Sequence, residues 1–211
     1  AASNSLVKFT LPGVDGNYLI KYRSRDNVEN LEVEKSSSVF MDATPPFTSF
    51  NISEPLYIKD SVRYITPASG LTFTAADPLA GEVAAGVGRI EAAIDSGPWL
   101  KYTQALKFAE GRHAIKYRAL DNVGNVEAER ILEVQCDNTA PASKWSVSSG
   151  EWIERGSKFY LNALGLIALE SADPLAGNVA SGLENIYYGI DAAPATKYTS
   201  VFGLAEGVRI L

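Results

Sequence analysis

Apolar and polar residues alternate singly along most of this chain, in short runs bounded by Gly, Pro, Asn and Asp. That pattern predicts half-buried strands. Ile90, Ala92 and Ile94 fall on one face with Arg89 and Glu91 opposite, and Ile186, Tyr188 and Ile190 keep that face further on. Ile115, Tyr117 and Ala119 alternate with Lys116 and Arg118, as Ile20 and Tyr22 do near the start. Val126 and Ala128, matching Leu31 and Val33, alternate with Glu127 and Glu129, which assigns the apolar members to the buried face. Ser96-Gly97-Pro98, Asp121–Asn125 and Pro45-Pro46 supply the punctuation. Residues 82–88 and 178–185 are small and Gly-rich and read as irregular loops. No stretch sustains a helical stripe.

The pattern repeats. Gly16-Asn17-Tyr18-Leu19-Ile20-Lys21-Tyr22-Arg23 returns 95 residues later as Gly111-Arg112-His113-Ala114-Ile115-Lys116-Tyr117-Arg118. At a spacing of 96, Ala76-Asp77-Pro78-Leu79-Ala80-Gly81 returns as Ala172-Asp173-Pro174-Leu175-Ala176-Gly177. One whole unit spans 46–140. Residues 1–45 match the back half of a unit, and 141–211 match a unit without its last strands. About six or seven short strands in a period of this length predict an antiparallel two-sheet sandwich. The fold class read here is all-β: tandem immunoglobulin-like sandwiches with incomplete modules at both termini.

The string Gly-x-x-x-Ile-x-Tyr-Arg-x-x-Asp-Asn-Val-Gly-Asn-Val-Glu from Gly111, then Asp137-x-Thr139-x-Pro141, resembles the bacterial immunoglobulin-like repeats of the OmpL47-type domain family. So does Ser181-Gly182 followed by Ile186-Tyr187-Tyr188-Gly189-Ile190-Asp191. The resemblance implies secreted or surface-exposed bacterial proteins whose tandem modules act as spacers, stalks or binding surfaces, and it implies no catalytic residue. This chain departs from the pattern at Glu29, where the middle copy has Gly124.

Composition narrows the function. The chain has 211 residues, 46% hydrophobic and 21% charged, enough to build packed cores. Lys and Arg total 19 against 25 Asp and Glu, a net charge of -6 that offers no basic footprint for nucleic acid. No run of about 18 apolar residues spans a bilayer, and no charged-then-apolar leader is read at the start. One His and one Cys exclude the Cys₄, Cys₂His₂ and His₃ zinc sets within one chain. No nucleophile–base motif marks an enzyme.

Few residues invite a chemical reading. Asp121, Asn125 and Glu127 are candidate calcium ligands, but calcium takes six to eight oxygens and this stretch supplies about three. The competing reading is a hairpin turn, with side chains bonded to nearby amides and Gly124 or Asn30 at positive φ. Asp77 and Asp173, each before a proline, carry the same two readings. His113, matched by Tyr18 and Arg209, reads as a rim residue at the start of a strand. Cys136, matched by Met41, reads as a buried and inert thiol. Trp99, Trp145 and Trp152 could stack sugars, yet Trp99 matches Ala195 and Trp145 matches Phe50, so packing is the common denominator.

The frame of the repeat carries the functional expectation. Residues 1–45 supply what a complete unit has after the tail, and an open half-sandwich exposes strand edges. The head of one chain could complete the tail of the next; the chain could be a window on a longer array; or head and tail could pair within one chain. The expectation adopted is the first: a non-enzymatic, extracellular or cell-surface fibre or stalk subunit whose partners are other copies of itself. Ile20, Tyr22, Leu31, Val33, Ile186, Tyr188, Ile190 and Ile210 are the expected assembly interface. The rival is an adhesin or carbohydrate-binding module contacting host or matrix glycans or proteins.

Overall fold

The structure, a computed structural model, describes residue 6 and residues 8–205. It is all-β, with several sheets and no helix among the described residues. The first strands are β1 (Gly16–Tyr22), β2 (Lys35–Met41), β3 (Phe47–Ile52), β4 (Leu56–Lys59), β5 (Val62–Ile65) and β6 (Leu71–Ala76). The next are β7 (Val87–Ile94), β8 (Leu100–Lys101), β9 (Gly111–Asp121), β10 (Arg130–Cys136) and β11 (Ala142–Ser149). The last are β12 (Trp152–Arg155), β13 (Lys158–Leu161), β14 (Leu166–Ala172), β15 (Tyr187–Tyr188), β16 (Thr196–Lys197) and β17 (Phe202–Gly203). Ile210 lies outside the described residues.

The strands keep the sequence period. β1 and β9 begin 95 residues apart, and β2 and β10 share both bounds at that spacing. β12, β13 and β16 repeat β4, β5 and β8 at a spacing of 96. In the middle copy β3 pairs antiparallel with β6, and a second sheet runs in the order β4-β5-β10-β9-β7-β8.

The chain divides into two compact units. One holds the described residues up to Glu54 together with Ser69–Lys107 and His113–Glu133; the other holds Pro55–Ala68, Phe108–Arg112 and the described residues from Val134 on. In the first unit the core is built by Leu71 and Phe73 from β6 and by Ile115, Tyr117 and Ala119 from β9, alternating as a half-buried strand must. The Tyr117 ring lies 4.7 Å from Phe73 and meets Phe50 edge-on at 6.3 Å, so β3 and β6 face β9 across an aromatic core. In the second unit Ile65, Phe108, Val134, Cys136, Ile167 and Val179 are buried.

Three local expectations are corrected. Glu127 points inward at 8% exposure, while Val126 is 42% exposed and Ala128 is exposed too. The reason is polar satisfaction. Thr48, fully buried on β3, presents its N–H and hydroxyl to the interior, and the Glu127 carboxylate accepts both, at 3.0 and 2.5 Å, plus the Ala119 N–H at 2.9 Å. A buried carboxylate with three donors outranks the exposure of one valine.

Positive φ in the Asp-Asn hairpins falls on Gly124 (96°) and on Glu29 (74°), not on Asn30. The left-handed residue of the turn is thus the fourth of each motif, and the first copy places a side chain where glycine is favoured.

The loops at 82–88 and 178–185 open on ordered turns. Ala80 bridges Val83 around Gly81 (φ 53°) and Glu82 (φ 63°), and Ala176 bridges Val179 around Gly177 (53°) and Asn178 (59°). Two consecutive left-handed residues make these type I′ turns.

Candidate functional site

The chemistry-bearing residues gather where one repeat passes into the next, and they do so twice. In the first unit Asp42 closes the connection after β2. Its Oδ1 accepts the Thr44 N–H at 3.1 Å, and its Oδ2 accepts the Ala85 N–H at 2.5 Å from the loop leading into β7. Asp15, just before β1, accepts the Ala43 N–H at 2.7 Å and the Thr44 hydroxyl at 3.0 Å. Asp77 accepts the Gly86 N–H at 2.7 Å, and the Asn125 amide donates to the Asp42 carbonyl at 3.0 Å.

The second unit repeats five of these six contacts at matching positions. Asp137 accepts the Thr139 N–H at 3.2 Å and the Ser181 N–H at 2.7 Å. Glu110, in the place of Asp15, accepts the Asn138 N–H at 2.8 Å and the Thr139 hydroxyl at 3.0 Å. Asp173 accepts the Gly182 N–H at 2.7 Å. The Asp-x-Thr-x-Pro motif is therefore a clamp: its Asp stitches the connection to a loop of the following repeat, and its Thr is held by an acid at the start of a preceding strand.

The Asp-Asn hairpins use the same acceptor logic. Asp121 Oδ1 takes the N–H groups of Val123, Gly124 and Asn125, and its Oδ2 takes the Asn125 amide at 2.6 Å. Asp26 binds Val28 and Asn30 likewise. Of the calcium candidates, Asp121 and Asn125 lie together and Glu127 is turned toward Thr48. Two acids join Asp121 instead: one oxygen each from Asp42, Asp77 and Asp121 fall within 4.8 Å of one another. Asp77 Oδ1 is buried there with no donor among the described residues. Reading along the chain misses this set because its members are far apart in sequence, although each sits at a repeated position.

Electrostatics follow the donors. Burial disfavours the Asp121 carboxylate, but Asn125 through side chain and backbone, with Val123 and Gly124, outweighs it and holds the pKa below its ordinary 3.8. Burial likewise opposes Asp137, and Ser181 and Thr139 bring it below the same value. A depressed folded pKa means the stabilisation is complete above the unfolded value and is lost as pH falls through the folded one. The melting temperature should therefore be flat from about pH 7 to about pH 5 and fall below about pH 4. Asp121→Asn should lower it at neutral pH and blunt the acid fall; acid resistance in the wild type would contradict the assignment. Thermal scans by circular dichroism across pH measure both.

The remaining candidates resolve simply. Cys136 is fully buried, with Sγ 3.3 Å from the Phe108 carbonyl, and burial together with Glu110 and Asp137 raises its pKa, so the thiolate is suppressed. His113 Nδ1 lies 3.1 Å from Asp95 at a half-buried position. Trp99 lies under the Arg118 guanidinium at 4.4 Å. Trp145, Trp152 and Phe159 form an exposed aromatic cluster, with ring centroids 4.8 and 6.0 Å from Phe159.

The expected interface residues are partly open. Ile20 is half-buried, and Tyr22, Leu31 and Val33 are exposed. Leu31 and Val33 share that exposure with their counterparts Val126 and Ala128. Ile186, Tyr188 and Ile190 are half-buried, Tyr188 stacking on Phe202 at 4.3 Å. Comparison with protein-family models, with curated proteins and with solved structures finds no match to this chain.

Proposed function

We propose that this chain is a non-enzymatic structural segment of an extracellular or cell-surface bacterial stalk or fibre, built from tandem immunoglobulin-like sandwiches that link head to tail. One observation carries the reading: the carboxylate clamp at Asp42 recurs at Asp137 with the same donors in the same places. A connection tied at both ends restricts the rotation of one module against the next, as a spacer requires and a catalytic domain does not. The resemblance to the OmpL47-type repeats supports the same cellular setting.

Single-molecule stretching of the chain held by its two ends tests the reading. Residues 46–140 should unfold in one discrete step that releases about 300 Å of contour length. Featureless extension at low force would overturn the proposal.

A second reading is favoured by the cluster of Trp145, Trp152 and Phe159, whose partly exposed rings suit stacking on sugars. Saturable quenching of tryptophan fluorescence by soluble oligosaccharides separates this adhesin reading from the first.

A further inference from the structure

We propose that Asp42, Asp77 and Asp121 of the first unit together hold a calcium ion. The site differs from the one read along the chain: Asp121 stays, and Asp42 and Asp77 take the places given there to Asn125 and Glu127. The inference goes beyond the stalk reading and does not depend on it.

Three separate strand ends bring the acids together. Asp42 follows β2, Asp77 follows β6 and Asp121 ends β9. One carboxylate oxygen from each lies within 4.8 Å of the other two; Asp121 is buried, and Asp42 and Asp77 are half-buried. One loop fixes all three. The Ala85 N–H donates to Asp42 Oδ2 and the Gly86 N–H to Asp77 Oδ2. The Gly86 carbonyl accepts the Asn122 N–H at 3.0 Å, and a Cβ on Gly88 would stand 2.6 Å from the Asp121 carbonyl oxygen. The carboxylates are thus in position before an ion arrives, which lowers the ordering cost of binding.

Those bonds orient the acids but leave their charge unmet. Among the described residues no ion pair involves Asp42, Asp77 or Asp121. Three like charges at this spacing repel, and more strongly where water is excluded. Asp77 supplies a second, separate observation. Its Oδ1 is buried and meets no donor among the described residues. A buried carboxylate oxygen without a partner costs stability, and an unmet group of this kind points to a bound water or ion. A water would serve Oδ1 and leave the charge. A divalent cation answers both.

The donors choose the ion. Carboxylate oxygens with no imidazole or thiolate among them suit a hard cation. Calcium takes oxygens at about 2.3–2.6 Å, so ligands on opposite sides of it stand about 4.6–5.2 Å apart, whereas magnesium demands a tighter set. Water completes the shell. Three carboxylates place the affinity in the range of extracellular modules, with Kd about 10⁻⁴–10⁻³ M. Asp173 stands at the Asp77 position of the second unit, where the described residues form no such triad.

Calorimetric titration of the EDTA-stripped chain with calcium chloride tests the site. One ion should bind per chain, and about 10 mM calcium should raise the melting temperature by about 3–10 °C. Magnesium should bind at least about tenfold more weakly. Asp77→Asn should weaken calcium binding at least about tenfold and raise the melting temperature of the calcium-free protein, because it removes one of three like charges and gives the other two a donor. Asp173→Asn should leave calcium binding unchanged.

Neither binding heat nor a melting shift at about 10 mM calcium would overturn the proposal, as would a shift that Asp77→Asn leaves intact. Stretching reports on the other reading. A chain that takes calcium yet extends without a discrete step sinks the spacer reading alone; a chain that keeps the step and ignores calcium sinks this inference alone.

Discussion

Glu127→Ala should lower the unfolding free energy by about 3–5 kcal/mol. The carboxylate joins β3 to β9 through the Thr48 N–H, the Thr48 hydroxyl and the Ala119 N–H, with Arg130 at 3.7 Å on its outer side. Truncation strands three donors in a place where Thr48 has no access to solvent. In urea the midpoint should fall by about 2 M, at a slope of about 2 kcal/mol/M. Glu127→Gln should cost less, about 1–3 kcal/mol, because a carboxamide keeps the shape and one acceptor while its NH₂ leaves one donor unmet. Glu32→Ala supplies the contrast: Glu32 holds Ser24 and Lys35 near the surface, so its loss should leave the urea midpoint almost unchanged. Equal losses at Glu127 and Glu32 would show that the buried clasp contributes nothing beyond a surface ion pair.

The same residue marks where reading the sequence stops. Strand positions were legible because alternation and turn residues are local, and the repeat tied three weak signals into one period. Glu127 was not, because an acid between two apolar residues reads as outward until a buried donor is known, and Thr48 is 79 residues away. A usable signal was nevertheless present. Glu32 and Glu127 recur with a cation three residues on, Lys35 and Arg130, and Thr48 recurs as a hydroxyl at Ser143. A polar set repeated as a set is better explained by mutual contact than by independent surface choice. The clamp was half legible in the same way. Asp42 and Asp137 were visible as turn-formers, but their second partners, Ala85 and Ser181, are backbone amides that no side-chain identity announces.

Gly81→Ala should lower the unfolding free energy by about 2–4 kcal/mol, because two separate penalties meet there. The residue sits at φ 53°, where an alanine costs about 1 kcal/mol. A Cβ would also stand 2.5 Å from the Asp15 carbonyl oxygen and 2.8 Å from its carbon, and backbone cannot rotate away as a side chain can. Gly156→Ala isolates the first penalty, since Gly156 has φ 64° and open space around the added carbon. Gly177→Ala falls between, with Gly111 Cα at 3.1 Å and the flexible Glu110 Cγ at 3.3 Å. Denaturant melts should rank the losses as Gly81, then Gly177, then Gly156. The clamp gives the ranking a second readout. If the turn at Gly81 is forced off Asp15, the Thr44 contacts that Asp15 makes must loosen, and the segment 42–46 should become the first site of limited proteolysis. A Gly81→Ala protein no weaker than Gly156→Ala, with 42–46 still protected, would mean that the turn does not bear on Asp15.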